Sequence, residues 1–224
     1  MNCKYCNKSC LKKGFQGGKQ KYQCKTCKRY QQKIYTYKMC TEQDEKTIVK
    51  LNNIGVSISG IASFTGISKA NVVNKIKSIA EKSTMPKIEE EQKEYEADEL
   101  YTFIKNKNNS CYIMYAINKM TKQVIDFFVG TRTKENVEKV ISKVKLLNPK
   151  RIFTDKLNLY PGLIGTKIHT ASAYKINHIE RFNLTLRTHL KRLSRKTICF
   201  SRSREMLESC LKLYLYKGNL AMRK

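Results

Sequence analysis

The sequence has little negative charge and no long apolar segment. Only 18 Asp and Glu residues oppose 45 Lys and Arg residues, which leaves a net charge of +27. No run approaches the roughly 20 apolar residues that a membrane-spanning helix needs, and the first residues, Met1 to Lys4, lack the apolar core of a secretory signal peptide. These absences argue against a membrane protein. The positive charge indicates a polyanionic partner, which we take to be nucleic acid.

The nine cysteines lack the pattern of a disulfide framework. Their odd number, in a chain without an export signal, favours a reducing cytosol and metal binding. Four of them form two CxxC pairs, Cys3 with Cys6 and Cys24 with Cys27. Two such pairs can close a tetrahedral shell around one structural zinc ion, so we expect residues 1–38 to form a zinc ribbon. Four unliganded cysteines are the alternative, and Cys10 is a rival ligand whose spacing fits neither pair.

Because the stretch between the two pairs is short, polar and rich in Gly and Lys, metal binding would supply its folding free energy.

Residues 39–84 have helical periodicity. Thr41, Ser57 and Ser68 are suitable N-caps for three successive helices, and Gly66 lies in the turn between the last two. This order is typical of a helix-turn-helix DNA-binding domain, with a plain three-helix bundle as the alternative. In a helix-turn-helix the exposed residues at the start of the third helix would face DNA: Lys69, Asn71, Asn74 and Lys75.

An acidic run follows, which includes Glu89, Glu90, Glu91, Glu94 and Glu96. Such a run usually belongs to a solvated linker, so we place a linker at 85–94, a catalytic domain at 95–215 and a basic tail at 216–224. Short β-rich runs begin at Tyr101, Cys111 and Val124, a helix spans 135–147, and another strand covers 151–154. Three strands, a helix and a parallel strand describe an RNase H-like domain of the α/β or α+β class.

Three carboxylates stand out in this basic half. We expect Asp98 to open the first strand, Asp155 to end the fourth, and Glu180 to lie on a helix over 175–193. Helical spacing puts Glu180, Arg187 and Lys191 beside the apolar stripe of that helix. Three acids from separate elements can hold two Mg²⁺ or Mn²⁺ ions for phosphoryl transfer. Nearby cations would neutralise phosphates: Arg181, Arg187, Arg192, Arg195, Lys196, Arg202 and Arg204.

The segment from Ile179 to Leu193, IERFNLTLRTHLKRL, followed by Arg195-Lys196 and by FSRS at 200–203, resembles the insertion-sequence-one family of transposases. Asp98-Glu99-Leu100-Tyr101 resembles the family's Asp-Glu-x-Trp strand. Thr154-Asp155 with Tyr160 resembles its Thr-Asp-Gly-x-x-x-Tyr motif. The ribbon and helix-turn-helix match its N-terminal half, so the resemblance spans nearly the whole chain.

The resemblance implies a DDE transposase that nicks element ends and joins the 3′-hydroxyls to target DNA. It implies Asp98, Asp155 and Glu180 as ligands of Mg²⁺ or Mn²⁺. Synapsis of two double-stranded ends implies at least a homodimer. Basic and polar residues of the Glu180 segment would support the site or contact DNA: Arg181, Asn183, Arg187, Lys191, Arg192, Arg195 and Lys196. His189 matches the motif too, but we expect it to pack against the stripe.

Two residues depart from the family pattern. Tyr101 stands where the family usually has Trp, and the chain contains no Trp. Lys156 replaces the glycine after the second aspartate, which either adds a phosphate contact or indicates a decayed site. Three other readings therefore stay open: a non-catalytic DNA-binding regulator, a nuclease that cuts without joining, and an inactive transposase that still binds DNA.

Overall fold

The computed structural model describes residues 1–34, 39–85 and 91–218, with side chains to residue 216. The end of the expected ribbon, Glu89 and Glu90 of the expected linker, and residues 219–224 of the expected tail lie outside the described residues. The chain divides into two compact units, Met1–Met39 and Cys40–Lys224. In the described part of the chain, no helix is both long and apolar enough to cross a membrane.

The first unit is a small antiparallel sheet. Its strands β1 (Cys10–Gln16), β2 (Lys19–Cys24) and β3 (Tyr30–Gln32) lie in the order β1-β2-β3. Gly17 and Gly18 join the first two strands with φ values of 57° and 72°, a left-handed turn that glycine adopts without steric cost. Among the described residues of this unit, the buried ones are Cys3, Cys24 and Gln31. An apolar core of this size cannot hold the sheet together by itself.

Three helices open the second unit: α1 (Glu42–Asn53), α2 (Ile58–Thr65) and α3 (Lys69–Glu81). The predicted caps are confirmed, since Thr41, Ser57 and Ser68 each accept a backbone N–H of the first turn. Thr41 also forms a reciprocal capping box with Asp44. Gly66 ends α2 in the left-handed region at φ 70°.

A five-stranded mixed sheet follows these helices in the second unit. Its strands are β4 (Glu94–Phe103), β5 (Ser110–Asn118), β6 (Val124–Gly130), β7 (Arg151–Thr154) and β8 (His169–Ala171). Their order is β6-β5-β4-β7-β8. The first three are antiparallel, whereas β7 runs parallel to both β4 and β8. The coarse expectation of a mixed α/β domain is thereby confirmed.

Helices cover both faces of the sheet. On one face α4 (Lys134–Lys145) and α5 (Leu159–Ile164) enclose a core with Tyr95 and Ala97 of β4. On the other face α6 (Asn177–His189) and α7 (Arg204–Lys212) pack against Leu100. Successive residues of β4 therefore point to opposite helical layers, as the pleat of a strand requires.

Helices α1 to α3 share their core with the C-terminal segment. Met206 and Cys210 of α7, and Leu213 of the following π-helix (Leu213–Gly218), lie in the same apolar cluster as the three helices. The Asn52 and Asn53 amides, both buried, donate to the Cys210 and Leu213 carbonyls at 3.2 and 3.4 Å. The three helices and the sheet therefore form one packed body.

Three details of the sequence interpretation are wrong. Asp98 does not open its strand, because β4 begins four residues earlier at Glu94. Glu94 and Glu96 are residues of β4 rather than of a solvated linker. The Glu180 helix ends at His189, because Leu190 leaves the helix with ψ 96° and a short 3₁₀ turn follows at Lys191–Leu193.

Candidate functional site

A notch opens in the sheet where β7 ends beside β4. The two strands pair over Glu94–Glu96 and Arg151–Phe153, and β7 stops at Thr154. Because β4 continues to Phe103, its residues Asp98 and Glu99 extend past the end of the neighbouring strand. Asp155 follows β7 directly, so a carboxylate from the loop faces carboxylates from the continuing strand. Ligand sites of α/β proteins commonly lie at such carboxyl ends of strands.

Three carboxylates meet in this notch. One oxygen each of Asp98, Glu99 and Asp155 lies within 4.8 Å of the others. Asp98 and Asp155 are thus brought together as the sequence suggested, whereas Glu99 was missed as a site residue. The alternation of strand side chains places neighbours on opposite faces, so the pattern gave no reason to group Asp98 with Glu99. At the notch both can reach Asp155, because no strand separates the two faces there.

Burial and mutual repulsion destabilise the charged forms of Asp98 and Glu99. Burial is the main cause that raises the pKa of Asp98 to about 6, and the charges of Asp155 and Glu180 raise it further. Burial likewise raises the pKa of Glu99 to about 7, although its hydrogen bond from Tyr160 opposes the shift. Three carboxylates at this spacing favour a cationic partner, and carboxylate oxygens are the preferred ligands of Mg²⁺ and Mn²⁺.

Glu180 lies beside this cluster rather than within it. It is exposed in the first turn of α6, and its charge acts on Asp98. One turn further along α6, the Asn183 amide donates to Asp98 Oδ2 at 2.6 Å. The Tyr115 hydroxyl donates to Asn183 Oδ1 at 2.8 Å, which fixes the direction of the amide. Asn183 therefore orients the Asp98 carboxylate.

Glu96 fixes the start of α6. Its side chain is fully buried, and Oε2 accepts the Ile179 backbone N–H at 2.8 Å. Oε1 lies 2.7 Å from His178 Nδ1. Since the N-cap residue Ile176 offers no side-chain acceptor, the carboxylate of β4 satisfies the helix end in its place. The strand that carries Asp98 thereby also positions the helix that carries Glu180.

The loop after β7 is held by its own hydrogen bonds. Asp155 Oδ1 accepts the Leu157 N–H at 3.0 Å, and Thr154 Oγ1 lies 2.8 Å from His169 Nε2. The Tyr160 hydroxyl, on α5, donates to Glu99 Oε1. Lys156, which departs from the family pattern, is exposed.

The four predicted cysteine ligands come together in the first unit. Their sulfurs all lie within 4.8 Å of one another, with Cys3–Cys27 at 3.6 Å and Cys6–Cys24 at 3.4 Å. These separations exclude disulfides, whose sulfurs are about 2.05 Å apart. They are close to the roughly 3.8 Å edge of a tetrahedron with metal–sulfur bonds of about 2.3 Å.

Both CxxC turns share the same backbone geometry. The residues after the second cysteines, Asn7 and Lys28, have φ values of 57° and 59°. The Tyr5 N–H donates to Cys3 Sγ and the Cys27 N–H to Cys24 Sγ, each at 3.4 Å. Such bonds stabilise thiolates, and the bond from the Cys27 N–H is the largest cause that lowers the pKa of Cys24 to about 6. The donor set fits a structural zinc ion.

The predicted DNA-contacting residues of α3 differ in their surroundings. Lys69, Asn71 and Asn74 are exposed, whereas Lys75 forms an ion pair with Glu45 at 2.8 Å. Lys69 and Asn74 also line a groove of about 820 Å³.

In and after the Glu180 segment, one cation bonds to the backbone, whereas others are exposed. The Arg187 guanidinium donates to the Leu193 and Tyr101 carbonyls at 2.8 and 3.0 Å. These bonds join α6 to the turn that follows it and to β4. Arg181, Arg195 and Lys196 are exposed, and Arg195 lines a cavity of about 350 Å³ with Glu180 and Asn183.

Lys191 does not lie beside Glu180, contrary to the sequence interpretation. Because the helix ends at His189, Lys191 and Arg192 instead line the groove next to α3. His189 packs as expected, with Nδ1 2.6 Å from the Tyr214 hydroxyl.

Comparison with known proteins agrees with this geometry. A family model described as IS1 transposase matches residues 94–220. The iso-IS1n protein InsB of Shigella dysenteriae is 34% identical over 122 residues, which cover 54% of this chain and 93% of that protein. The IS1 protein InsB of Shigella flexneri is 32% identical over 120 residues, with 54% and 92% covered.

Among solved structures, a chain in the cryo-EM structure of the simian T-cell lymphotropic virus intasome with PP2A regulatory subunit B56 gamma has a TM-score of 0.39. The two chains are 13% identical, and the alignment covers 74% of this chain and 66% of the matched chain. The family match spans more than half of the chain and includes all the notch carboxylates, and the two relatives are matched almost end to end. This chain belongs to the IS1 transposase family.

Proposed function

We propose that this protein is a DNA transposase that binds the ends of its element, cleaves there, and joins the 3′-hydroxyls to target DNA. The observation that carries the proposal is the notch in which Asp98, Glu99 and Asp155 converge within a strongly basic chain. Membership of the IS1 transposase family supports it. The strand order β6-β5-β4-β7-β8, with three antiparallel strands followed by two parallel ones, supports an RNase H-like fold for this part of the chain.

Asp98, Asp155 and Glu180 would hold Mg²⁺ or Mn²⁺, and we add Glu99 to this set. Bound there, the ions would supply charge stabilisation and an activated oxygen nucleophile for in-line phosphoryl transfer. The residues of the chain would do the positioning. Asn183 holds the Asp98 carboxylate, and Tyr160 holds that of Glu99.

Exposed cations near the notch would bind the phosphates of the substrate. Arg181 lies next to Glu180 on α6, and Arg195 shares a cavity with Glu180. Guanidinium groups suit phosphate oxygens because they can donate two parallel hydrogen bonds. Arg187 would act on the site indirectly, since its guanidinium donates to the Leu193 and Tyr101 carbonyls.

The zinc ribbon and the helix-turn-helix would recognise DNA outside the notch. Cys3, Cys6, Cys24 and Cys27 would bind structural zinc, which gives the first unit the stability that its small core lacks. Helices α2 and α3 would act as a helix-turn-helix, with Lys69, Asn71 and Asn74 presented to DNA. Synapsis of two ends would require at least two copies of the chain, by analogy with the family.

A chain that binds DNA without joining it is the second candidate, and Lys156 is the observation that favours it. A lysine directly after Asp155 places a cation beside a proposed metal ligand, where it can compete electrostatically with the metal. Its exposure, however, leaves it free to bind a phosphate of the substrate instead.

The test is strand transfer with Mg²⁺ or Mn²⁺, using a duplex that carries the element's own terminal repeat. We expect Asp155→Asn to abolish joining while end binding persists, because the substitution removes a metal ligand without disturbing the DNA-contacting helices. Glu138→Gln, an exposed change on α4, is the matched control. Wild-type cleavage without joining would indicate a nuclease, and binding without cleavage would indicate a regulator or an inactive transposase.

A further inference from the structure

A basic groove runs between α3 and the segment that follows α6. It is lined on one side by Lys69, Asn74 and Lys77 of α3 and on the other by residues between Lys191 and Met206. The described residues that line it include five cations and no acid: Lys69, Lys77, Lys191, Arg192 and Arg202. Lys77 is paired with Glu205 at 2.7 Å. The groove therefore presents a positive field to any ligand.

The floor of the groove combines apolar and hydroxyl groups. Val73, Phe200 and Met206 contribute apolar surface, while Ser59 and Ser203 add hydroxyls. A strand of nucleic acid offers the matching features, since its phosphates attract cations and hydroxyls and its sugars and bases pack against aromatic faces. The volume of about 820 Å³ is that of a pocket for a small ligand, so it suits a few nucleotides of one strand rather than a whole duplex.

The wall formed by residues 191–203 is fixed to strand β4. Lys105 donates its backbone N–H to the Ser201 carbonyl at 2.9 Å, and the Arg192 guanidinium donates to Ser201 Oγ at 3.0 Å. The Phe200 ring packs edge-on against Phe103 with centroids 5.3 Å apart. This wall is therefore attached to the end of the strand that carries Asp98 and Glu99.

The wall formed by α3 is fixed to the same body. Val72 and Ile76 share a core with Met206 and Cys210. The turn after α1 lies so close to the end of α6 that a Cβ at Gly55 would come within 2.2 Å of the His189 carbonyl oxygen. The two walls consequently cannot separate without breaking the core.

From these observations we propose that the basic groove binds the sugar–phosphate backbone of one DNA strand, beside the bases that α3 contacts. The inference rests on the proposed function and deepens it. Helix α3, which contacts the bases, and strand β4, which bears the carboxylates, would then bind the same nucleic acid as parts of one rigid unit. Specific recognition and chemistry are then coupled by packing rather than by a flexible linker.

The test measures how the affinity for a mixed-sequence 30-base-pair duplex depends on salt. Each phosphate contact makes the slope of log K against log salt more negative by about 0.9. The double variant Lys191→Glu/Arg202→Glu is therefore expected to make the slope less negative by about 2. The control Lys145→Glu/Lys150→Glu makes the same change in net charge at exposed positions at the end of α4 and just before β7, and is expected to leave the slope nearly unchanged.

A photo-crosslinker identifies what enters the groove. Placed at Phe200, it is expected to label the DNA strand, whereas at exposed Leu146 on the α4 side it is expected not to. Equal slopes for the two double variants, or labelling displaced by poly-glutamate and not by excess duplex, would overturn the groove proposal. A wild-type chain that fails to bind any duplex would overturn the proposed function itself. Thermal unfolding of each variant checks that it remains folded.

Discussion

At the scale of single residues, the site depends on two neighbouring carboxylates of β4 that point to opposite faces of the sheet. Asp98 is held by Asn183 from the α6 side and Glu99 by Tyr160 from the α5 side. Both reach Asp155 because β7 has ended at that level. Each carboxylate therefore has its own support, and loss of either support is expected to weaken metal binding.

Mn²⁺ affinity of the intact chain tests the role of Glu99. We expect Glu99→Gln to weaken Mn²⁺ binding by at least tenfold, and Tyr160→Phe, which removes only the supporting hydroxyl, by about tenfold. Titration calorimetry or the electron paramagnetic resonance signal of free Mn²⁺ measures this directly. Glu138→Gln serves as the control, and wild-type affinity in Glu99→Gln would exclude Glu99 from the metal site.

Residue patterns identified only part of this arrangement. Asp155 could be predicted because an acid that follows a short apolar strand lies at a sheet edge. Glu99 could not, since its grouping with Asp98 depends on where the neighbouring strand stops. Because of the acidic residues around it, Glu96 was predicted to be solvated in a linker. Its carboxylate is instead buried against the N-terminus of α6. Burial of a charged side chain next to a helix end is a tertiary feature without a local sequence signal.

At the scale of elements, the position of α6 relative to β4 determines whether Glu180 can contribute. The Glu96 carboxylate caps α6, and Arg187 ties its other end to the Leu193 and Tyr101 carbonyls. Periodicity predicted the helix and its apolar face, but it extended the helix to residue 193. The apolar spacing continues through Leu190 and Leu193, which stay buried after the helix has ended.

Removal of the Glu96 cap should loosen α6. We expect Glu96→Ala to lower the free energy of unfolding by about 1–3 kcal/mol, because the buried Ile179 N–H loses its acceptor. Glu96→Gln retains an acceptor oxygen and should cost less. Denaturant unfolding gives the energies, and amide exchange in α6 locates the effect. Glu91→Ala, an exposed neighbour in sequence, is the control; a loss as large as that of Glu96→Ala would contradict the cap.

At the scale of the whole molecule, the two compact units are stabilised in different ways. The second unit has three apolar clusters, one of which joins α1 to α3 with α7. Helical periodicity predicted the buried faces of these helices but not their partner, because a contact between residues 52 and 210 is not encoded locally. The first unit has little apolar core, and its cysteine spacing did predict which residues cluster.

A strong zinc chelator should therefore act on the first unit alone. We expect new protease cleavage within residues 1–34 while the second unit keeps its helical circular dichroism, since metal binding supplies the folding free energy of a Cys₄ site. Added Zn²⁺ should restore resistance and Mg²⁺ should not. Unchanged cleavage after complete metal removal would show that the cysteine cluster folds without an ion.

The proposed chemistry depends on divalent metal held by the carboxylates at the end of β7. A crystal of the intact chain grown with Mn²⁺ tests it most directly, through anomalous scattering from the ion. We expect an anomalous peak bound by oxygens of Asp98 and Asp155, which is lost in Asp155→Asn. Mn²⁺ bound elsewhere, or these two carboxylates turned to separate surfaces in the metal-soaked protein, would contradict it.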